Sequence, residues 1–453
     1  MRGIVAAGIL GRRGLKTTLV ERHHALGGVM CSEPWGDLYI DKGCHLLDMG
    51  HTGSAELYTD ILGQAMHPVE RSYASWLGNA RSDDMAVPDF SAGPPDLLAS
   101  ALDDIRTHVS AAPSLDTTDM NGATLTQAFA ARFGRQVGNI MAQCAKKMTA
   151  IEPDELDATA LATLPLLARC RLGSDDDMMR LKRSDSALDA RLAVSSAYLT
   201  RVATDGAAAL AVRNRYPSQR GMRGLCDAAL RWLAEECGVD VLTRTVVEDL
   251  RVHDDGIEAT LSGSRTINAR HLYWAQAGAR FLTAVGDEDP ARGTSRPVSM
   301  ALYAFKVKPS DVLDITYIHD FRPETVAFRH SSAGIYGRQY DADGLTYVCV
   351  EVPCTREQPA WTDPEPMSHV LWSEAQAVGL IKRNARFEDF QVERAPVTIV
   401  LPAVGSGPSL SQRDEALAHY ENRVLFSDRA AFGKAAIVDA VTEDLDNFER
   451  QDR

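Results

Sequence analysis

"MRGIVAAGILGRRGLKTTLVERHHALGGVM", residues 1–30, is the stretch whose reading decides the fold. Gly3 to Arg13 carries apolar Ile4, Val5, Ile9 and Leu10 beside small Ala6, Ala7 and Gly8, which predicts a helix able to lie close on a sheet. Gly14 is placed to end that helix. Thr17-Thr18-Leu19-Val20 is β-branched and apolar, and predicts a buried strand of the parallel type. Glu21 closes the strand, and after five further residues come Gly27 and Gly28. Parallel α/β sheets bind dinucleotides where a strand ends and a helix begins. There glycines let the backbone approach the pyrophosphate, and helix amides face its charge. An acidic residue at the end of the second strand accepts hydrogen bonds from the ribose hydroxyls, and Glu21 stands where that acid belongs.

The composition sets the class. With 453 residues the chain exceeds one simple core, and two or three intertwined domains are expected. It is 45% hydrophobic and 24% charged with a mean hydropathy of −0.19, the balance of a folded globular protein rather than a disordered one. A net charge of −14 supplies no basic face to displace counterions, so no nucleic-acid partner is expected. The eight cysteines are scattered with no C-x-x-C pair, which argues against a zinc site or a disulfide framework and fits a reducing cytoplasm. Arg12, Arg13 and Lys16 follow the first apolar run instead of preceding it, so no signal peptide is read. No apolar run reaches the ~20 residues of a transmembrane helix.

Further along, Thr124 to Ala150 and Asp154 to Arg171 read as amphipathic helices, and "GSDDDMMRLKRSDS" (173–186) as a polar, mobile loop without converging metal ligands. Cys226 to Glu236 is a helix ended by Gly238. Val239–Leu242, Val246–Val252 and Ile257–Leu261 read as strands, with Asp254-Asp255-Gly256 as a hairpin turn, and "HLYWAQA" as another buried strand. Ser299–Lys308, Ile315–His319, Val326–His330 and Leu345–Val352 predict an antiparallel sheet. The chain ends as strand, glycine-bearing loop and helix. Pieces of the first unit thus recur at the start, middle and end, the signature of an interrupted α/β domain with inserted modules.

With Glu21, its spacer and Gly27-Gly28, the sequence resembles the two-dinucleotide-binding-domain flavoproteins, the amine-oxidase and protoporphyrinogen-oxidase-like superfamily. That family opens on a G-x-G-x-x-G turn whose third glycine falls eleven residues before the glycine that ends the helix, and counting back from Gly14 gives Gly3. The first strand and first two glycines are therefore expected upstream of Met1, through a start assigned too far downstream or a truncation. "YIDKGCHLLD" (39–48) resembles the D-x-G-x-H turn that these enzymes and the UDP-galactopyranose mutases place against the flavin ring. The 215–250 segment resembles their tyrosine-proline, glycine-methionine stretch, helix and strand, whose valine meets the adenine end. "NRVLFSDRAAFGKAAIVDAV" (422–441) resembles the second flavin motif, with Ser427 in place of the usual glycine.

The resemblance implies a Rossmann-like FAD-binding domain interrupted by a mixed α+β substrate domain. Its expected parts are 1–75, 214–290 and 396–453 for FAD, a helical cap over 76–213, and an antiparallel-sheet substrate domain over 291–395. It implies FAD contacts at Gly3, Glu21, Arg22, Gly27, Gly28, Gly43, Cys44, His45, Val247, Asp428 and Ala436. Catalytic candidates are His45 beside the flavin, Arg223 as a guanidinium fork for an anionic substrate group, and Tyr336 in "GIYGRQY", read as an inserted-sheet hairpin. Each has a plain reading beside it: a packed histidine, a surface charge and an edge-strand tyrosine. The implied activity is an oxidoreductase taking a hydride from a small organic substrate. The alternatives are a flavin-dependent isomerase of a nucleotide sugar, or a protein that keeps the fold without FAD.

Overall fold

The computed structural model describes residues 1–70, 72–111, 120, 122–202, 214–427 and 437–451. The first helix, Arg2–Arg12, buries Ile4, Val5, Ala6, Ala7 and Gly8. Its small residues matter at contact distance. A β-carbon on Gly11 would lie 2.3 Å from the Cys237 carbonyl oxygen, so only glycine lets the helix rest on the chain that leaves the Gly221–Glu235 helix.

Thr18–Val20 pairs in parallel with Asp240–Leu242. The ladder extends one residue further, with the Glu21 amide donating to the Leu242 carbonyl at 2.9 Å and the Thr245 amide to the Glu21 carbonyl at 3.0 Å. The predicted strand is thus parallel, but half-buried rather than fully buried. A second parallel pair joins Leu272–Trp274 to Val424–Phe426. The first helix touches both pairs, and a β-carbon on Gly3 would lie 3.5 Å from Leu19 and 3.4 Å from Ala275. The Arg2 guanidinium donates to the Ser427 carbonyl, and Arg13 pairs with Asp446 of the last helix, Ile437–Gln451. Start, middle and end of the chain therefore share one α/β unit, as the sequence pattern predicts.

Beside it lies an antiparallel meander, Val247–His253, Gly256–Leu261 and Arg265–Ala269, whose first turn is the expected hairpin and whose third strand the sequence reading did not include. A seven-stranded mixed sheet runs in the order Asp389–Pro402, Ser295–Val307, Thr346–Pro353, Arg329–Ser331, Tyr317–Asp320, Tyr73–Leu77, Ala80–Asp83. It is antiparallel except where Tyr317–Asp320 pairs in parallel with Tyr73–Leu77. One hydrophobic core continues from Ile4 and Val5 through Leu38, Ile40 and Tyr216 to Leu302 and Tyr347 of this sheet. Among the described residues, no helix is long and apolar enough to cross a membrane.

Several local expectations need correction. Residues 173–186 are not a loop. Asp175–Ser184 is a helix because Ser174 accepts the Asp177 amide at 3.2 Å, three aspartates occupy its first turn, and Lys182 and Arg183 its last. The helix expected over 154–171 is instead three short 3₁₀ turns, two of which open on a proline, Pro153 and Pro165. The helix expected over 124–150 is interrupted at Gly134 into Leu125–Phe133 and Arg135–Thr149. Tyr336 ends a single helical turn, Ala333–Tyr336, and not a hairpin.

The helix–loop contact is testable. Gly11→Ala forces a methyl group onto backbone and is expected to lower the unfolding free energy by about 1–3 kcal/mol in a urea titration. An unchanged midpoint would contradict the close approach.

Candidate functional site

Glu21 lies at the end of its strand, its Oε1 accepting the His23 amide at 2.8 Å. Arg22 turns outward, its Nε 3.0 Å from the exposed His23 ring. Across from Glu21, the Val246 amide donates to Ser262 Oγ at 3.1 Å and its carbonyl accepts the Ser262 amide at 2.8 Å, so Val247 opens its strand at the same rim. Gly27 and Gly28 follow with φ of +98° and +57°, the left-handed region. A β-carbon on Gly27 would sit 2.3 Å from Cys226 Sγ, whereas beyond Gly28 there is open space.

The centre of the arrangement is Asp41, fully buried. Its carboxylate accepts the Ser32 and Tyr216 hydroxyls, each at 2.6 Å, and the Met222 amide at 3.4 Å. Its own amide donates to Tyr347 Oη at 3.2 Å, and the Tyr347 hydroxyl donates to the Tyr39 carbonyl at 2.9 Å. Met222 opens the Gly221–Glu235 helix, so the carboxylate also meets the positive end of a helix dipole. Burial, reinforced by Asp41, holds the Tyr216 phenol well above its ordinary pKa.

Two residues on, Gly43 has φ +111°. A β-carbon there would stand 3.1 Å from Arg329 Nη2 and 3.3 Å from both Glu351 carboxylate oxygens. Arg329 grips Glu351 through Nε and Nη2 at 2.5 and 2.7 Å, and Glu351 Oε1 also accepts the Cys44 amide at 3.2 Å. Burial, the largest single influence, lowers the Arg329 pKa; the charge and hydrogen bonds of Glu351, with Cys44 and Tyr317, together outweigh it and raise it. Cys44 and His45 are half-buried on this turn.

The remaining candidates divide. Arg223 donates its amide to Ser32 Oγ at 3.1 Å and its Nε to Asp227 at 3.0 Å, with Nη1 3.2 Å from His24 Nε2. It therefore belongs with the Gly27 turn rather than with Gly43–His45. Arg220 is also held by Asp227, at 2.6 Å, and stacks on Tyr39. Tyr336 is buried edge-on to Tyr216, with ring centroids 5.3 Å apart, and its hydroxyl has no partner among the described residues. Burial, then Cys44 and Asp41, raise its pKa well above the ordinary value, so it forms a wall rather than a ready acid. Gly3 lies between the two parallel pairs. Asp428 and Ala436 fall outside the described residues. Among the described residues, no three His, Cys, Asp or Glu converge to hold a metal. A cleft of about 590 Å³ lies elsewhere, between the first and last helices, lined by Ile9, Arg12, Glu56, Asp60, Trp232 and Glu443 and by none of these candidates.

Asp41 stood inside a quoted motif, but its part as anchor was not read; Arg329 and Glu351 were missed altogether. The only signal for that pair is Glu351, a lone charge in the otherwise apolar strand Thr346–Pro353.

Residues 1–272 match the family pattern described as flavin containing amine oxidoreductase. The chain belongs to that family. No curated protein matches it. Its fold is similar to that of a reduced UDP-galactopyranose mutase, at 14% identity, 99% coverage of this chain and 91% of the other, and a TM-score of 0.70. It is similar to cyclohexylamine oxidase from Brevibacterium oxydans IH-35A, at 12% identity, 99% and 97% coverage and a TM-score of 0.63. A protein from Exiguobacterium sp. 255-15 assigned as a protoporphyrinogen oxidase gives 11%, 99%, 96% and 0.64. At such identities the likeness speaks for the fold alone. FAD is the cofactor that the family brings, and the residues fit it: Gly28 offers bare backbone to open space, and Glu21 a carboxylate at a strand end.

Asp41→Ala leaves the Tyr216 and Ser32 hydroxyls buried without their acceptor. It is expected to cost about 3 kcal/mol of unfolding free energy in denaturant titrations; a loss below ~1 kcal/mol would show that the carboxylate is not the anchor.

Proposed function

We propose that the protein is an FAD-dependent oxidoreductase that takes a hydride from a carbon–nitrogen or carbon–carbon bond of a small organic molecule. The observation that carries the reading is a hydrogen-bonded path from one cofactor turn to the other. The Arg223 amide, beside the Gly27 turn, donates to Ser32 Oγ; Ser32 donates to Asp41; and Asp41 leads directly into Gly43. Bound FAD supplies the hydride acceptor. In this reading Glu21 and the Val247 rim hold the adenosine end, and the Gly27-Gly28 backbone admits the pyrophosphate. The Gly43–Cys44–His45 turn backs the flavin ring, fixed by Glu351. Tyr216, Tyr336 and Tyr347, all buried, keep water from that side. In this reading His45, on the same turn, is the candidate for proton transfer.

The isomerase alternative asks for guanidinium groups ready to grip phosphates. Arg220 and Arg223 are instead both engaged by Asp227, which favours the oxidoreductase.

The test is reconstitution of the purified protein with FAD, followed by anaerobic mixing with a panel of primary and secondary amines and, separately, with UDP-sugars. Bleaching of the visible flavin band by an amine supports the proposal. Turnover of a UDP-sugar only after chemical reduction, without electron consumption, would overturn it in favour of the isomerase. Glu21→Ala is expected to weaken FAD binding by about 1–3 kcal/mol, roughly 5- to 150-fold in Kd by equilibrium dialysis.

A further inference from the structure

Cys31 and Cys226 are distant in sequence but form a small cluster of their own with Ala25. Both are free thiols and buried, 5% and 2% exposed. Gly27 allows the meeting: a β-carbon there would lie 2.3 Å from Cys226 Sγ and 3.7 Å from Cys31 Cβ. The Cys31 thiol donates to the Ser32 carbonyl at 3.8 Å. The sulfurs are not equivalent. The adjoining Cys226 thiol, aided by the Arg223 charge, outweighs burial and holds Cys31 below the ordinary thiol range. Cys226 is driven above that range, first by Cys31 and then by burial. The more readily ionised sulfur of such a pair is the nucleophile, and its neighbour is the resolving partner.

We infer that Cys31 and Cys226 are a redox-active dithiol that closes to a disulfide on meeting a small hydroperoxide. The Cys31 thiolate attacks the terminal peroxide oxygen. The O–O bond breaks, the departing alkoxide takes up a proton to leave as alcohol, and Cys31 becomes a sulfenic acid. Cys226 sulfur then attacks Cys31 sulfur, and the hydroxyl departs with the Cys226 proton as water. Two thiols and one hydroperoxide thus give one disulfide, one alcohol and one water; the sulfurs lose the two electrons that the peroxide gains. The new bond ties the Gly27-Gly28 turn to the Gly221–Glu235 helix. No bound cofactor is needed for this chemistry, so it stands apart from the proposed hydride transfer.

The experiment uses the full chain, reduced with dithiothreitol, desalted, and exposed to hydrogen peroxide. After alkylation and digestion without reductant, a peptide pair joining Cys31 to Cys226 is expected. The thiol count of the denatured protein falls by two from the eight of the reduced chain. Cys226→Ser is expected to stop at the sulfenic acid, trapped on Cys31 by dimedone, and Cys31→Ser to give neither product. A count that stays at eight, or equal dimedone labelling of Cys31 in wild type and Cys226→Ser, would overturn the inference. Should either serine variant fail to fold, peptide mapping of the wild-type chain decides alone.

Discussion

A carboxylate taken wholly out of water is tolerated only where donors replace its hydration shell. Asp41 meets that demand with the hydroxyl of Ser32, nine residues before it, and with the Tyr216 hydroxyl and Met222 amide, 175 and 181 residues further along the chain. The requirement is mutual, because those donors are buried as well. Residues 32, 41, 216 and 222 therefore have one arrangement in which all are satisfied. Through it, the Gly27 and Gly43 turns are held in fixed relation.

Around that anchor the fold assigns tasks by layer. The parallel pairs and the first helix make a ledge where bare backbone meets open space at Gly28. The mixed sheet supplies an ion pair under the Gly43 turn, with Glu351 buried and Arg329 half-buried. One core runs unbroken from Ile4 to Tyr347, so residues of both parts pack together beside the turn.

How much of this was legible follows from the range of each interaction. The first helix, its strand, Glu21 and the two glycines were readable because their signal is local: periodicity, a β-branched run and a fixed spacer. The Asp41 motif was legible as a turn but not as an anchor, since Tyr216 and Met222 lie far away along the chain. Arg329 and Glu351 meet only because their strands are neighbours in a sheet whose register no short window contains. The Asp175–Ser184 helix was misread for a different reason. Its few apolar residues leave almost no periodic stripe, and its stability comes from Ser174 and from charges matched to the helix ends.

The closure of Arg329 upon Glu351 bears on the field at the Gly43 turn. Two opposite charges locked side by side act at a distance as a dipole, whose potential dies away faster than that of a single ion. A group lying against the turn consequently meets a nearly neutral background, while the paired ions beneath hold the backbone through the Cys44 amide.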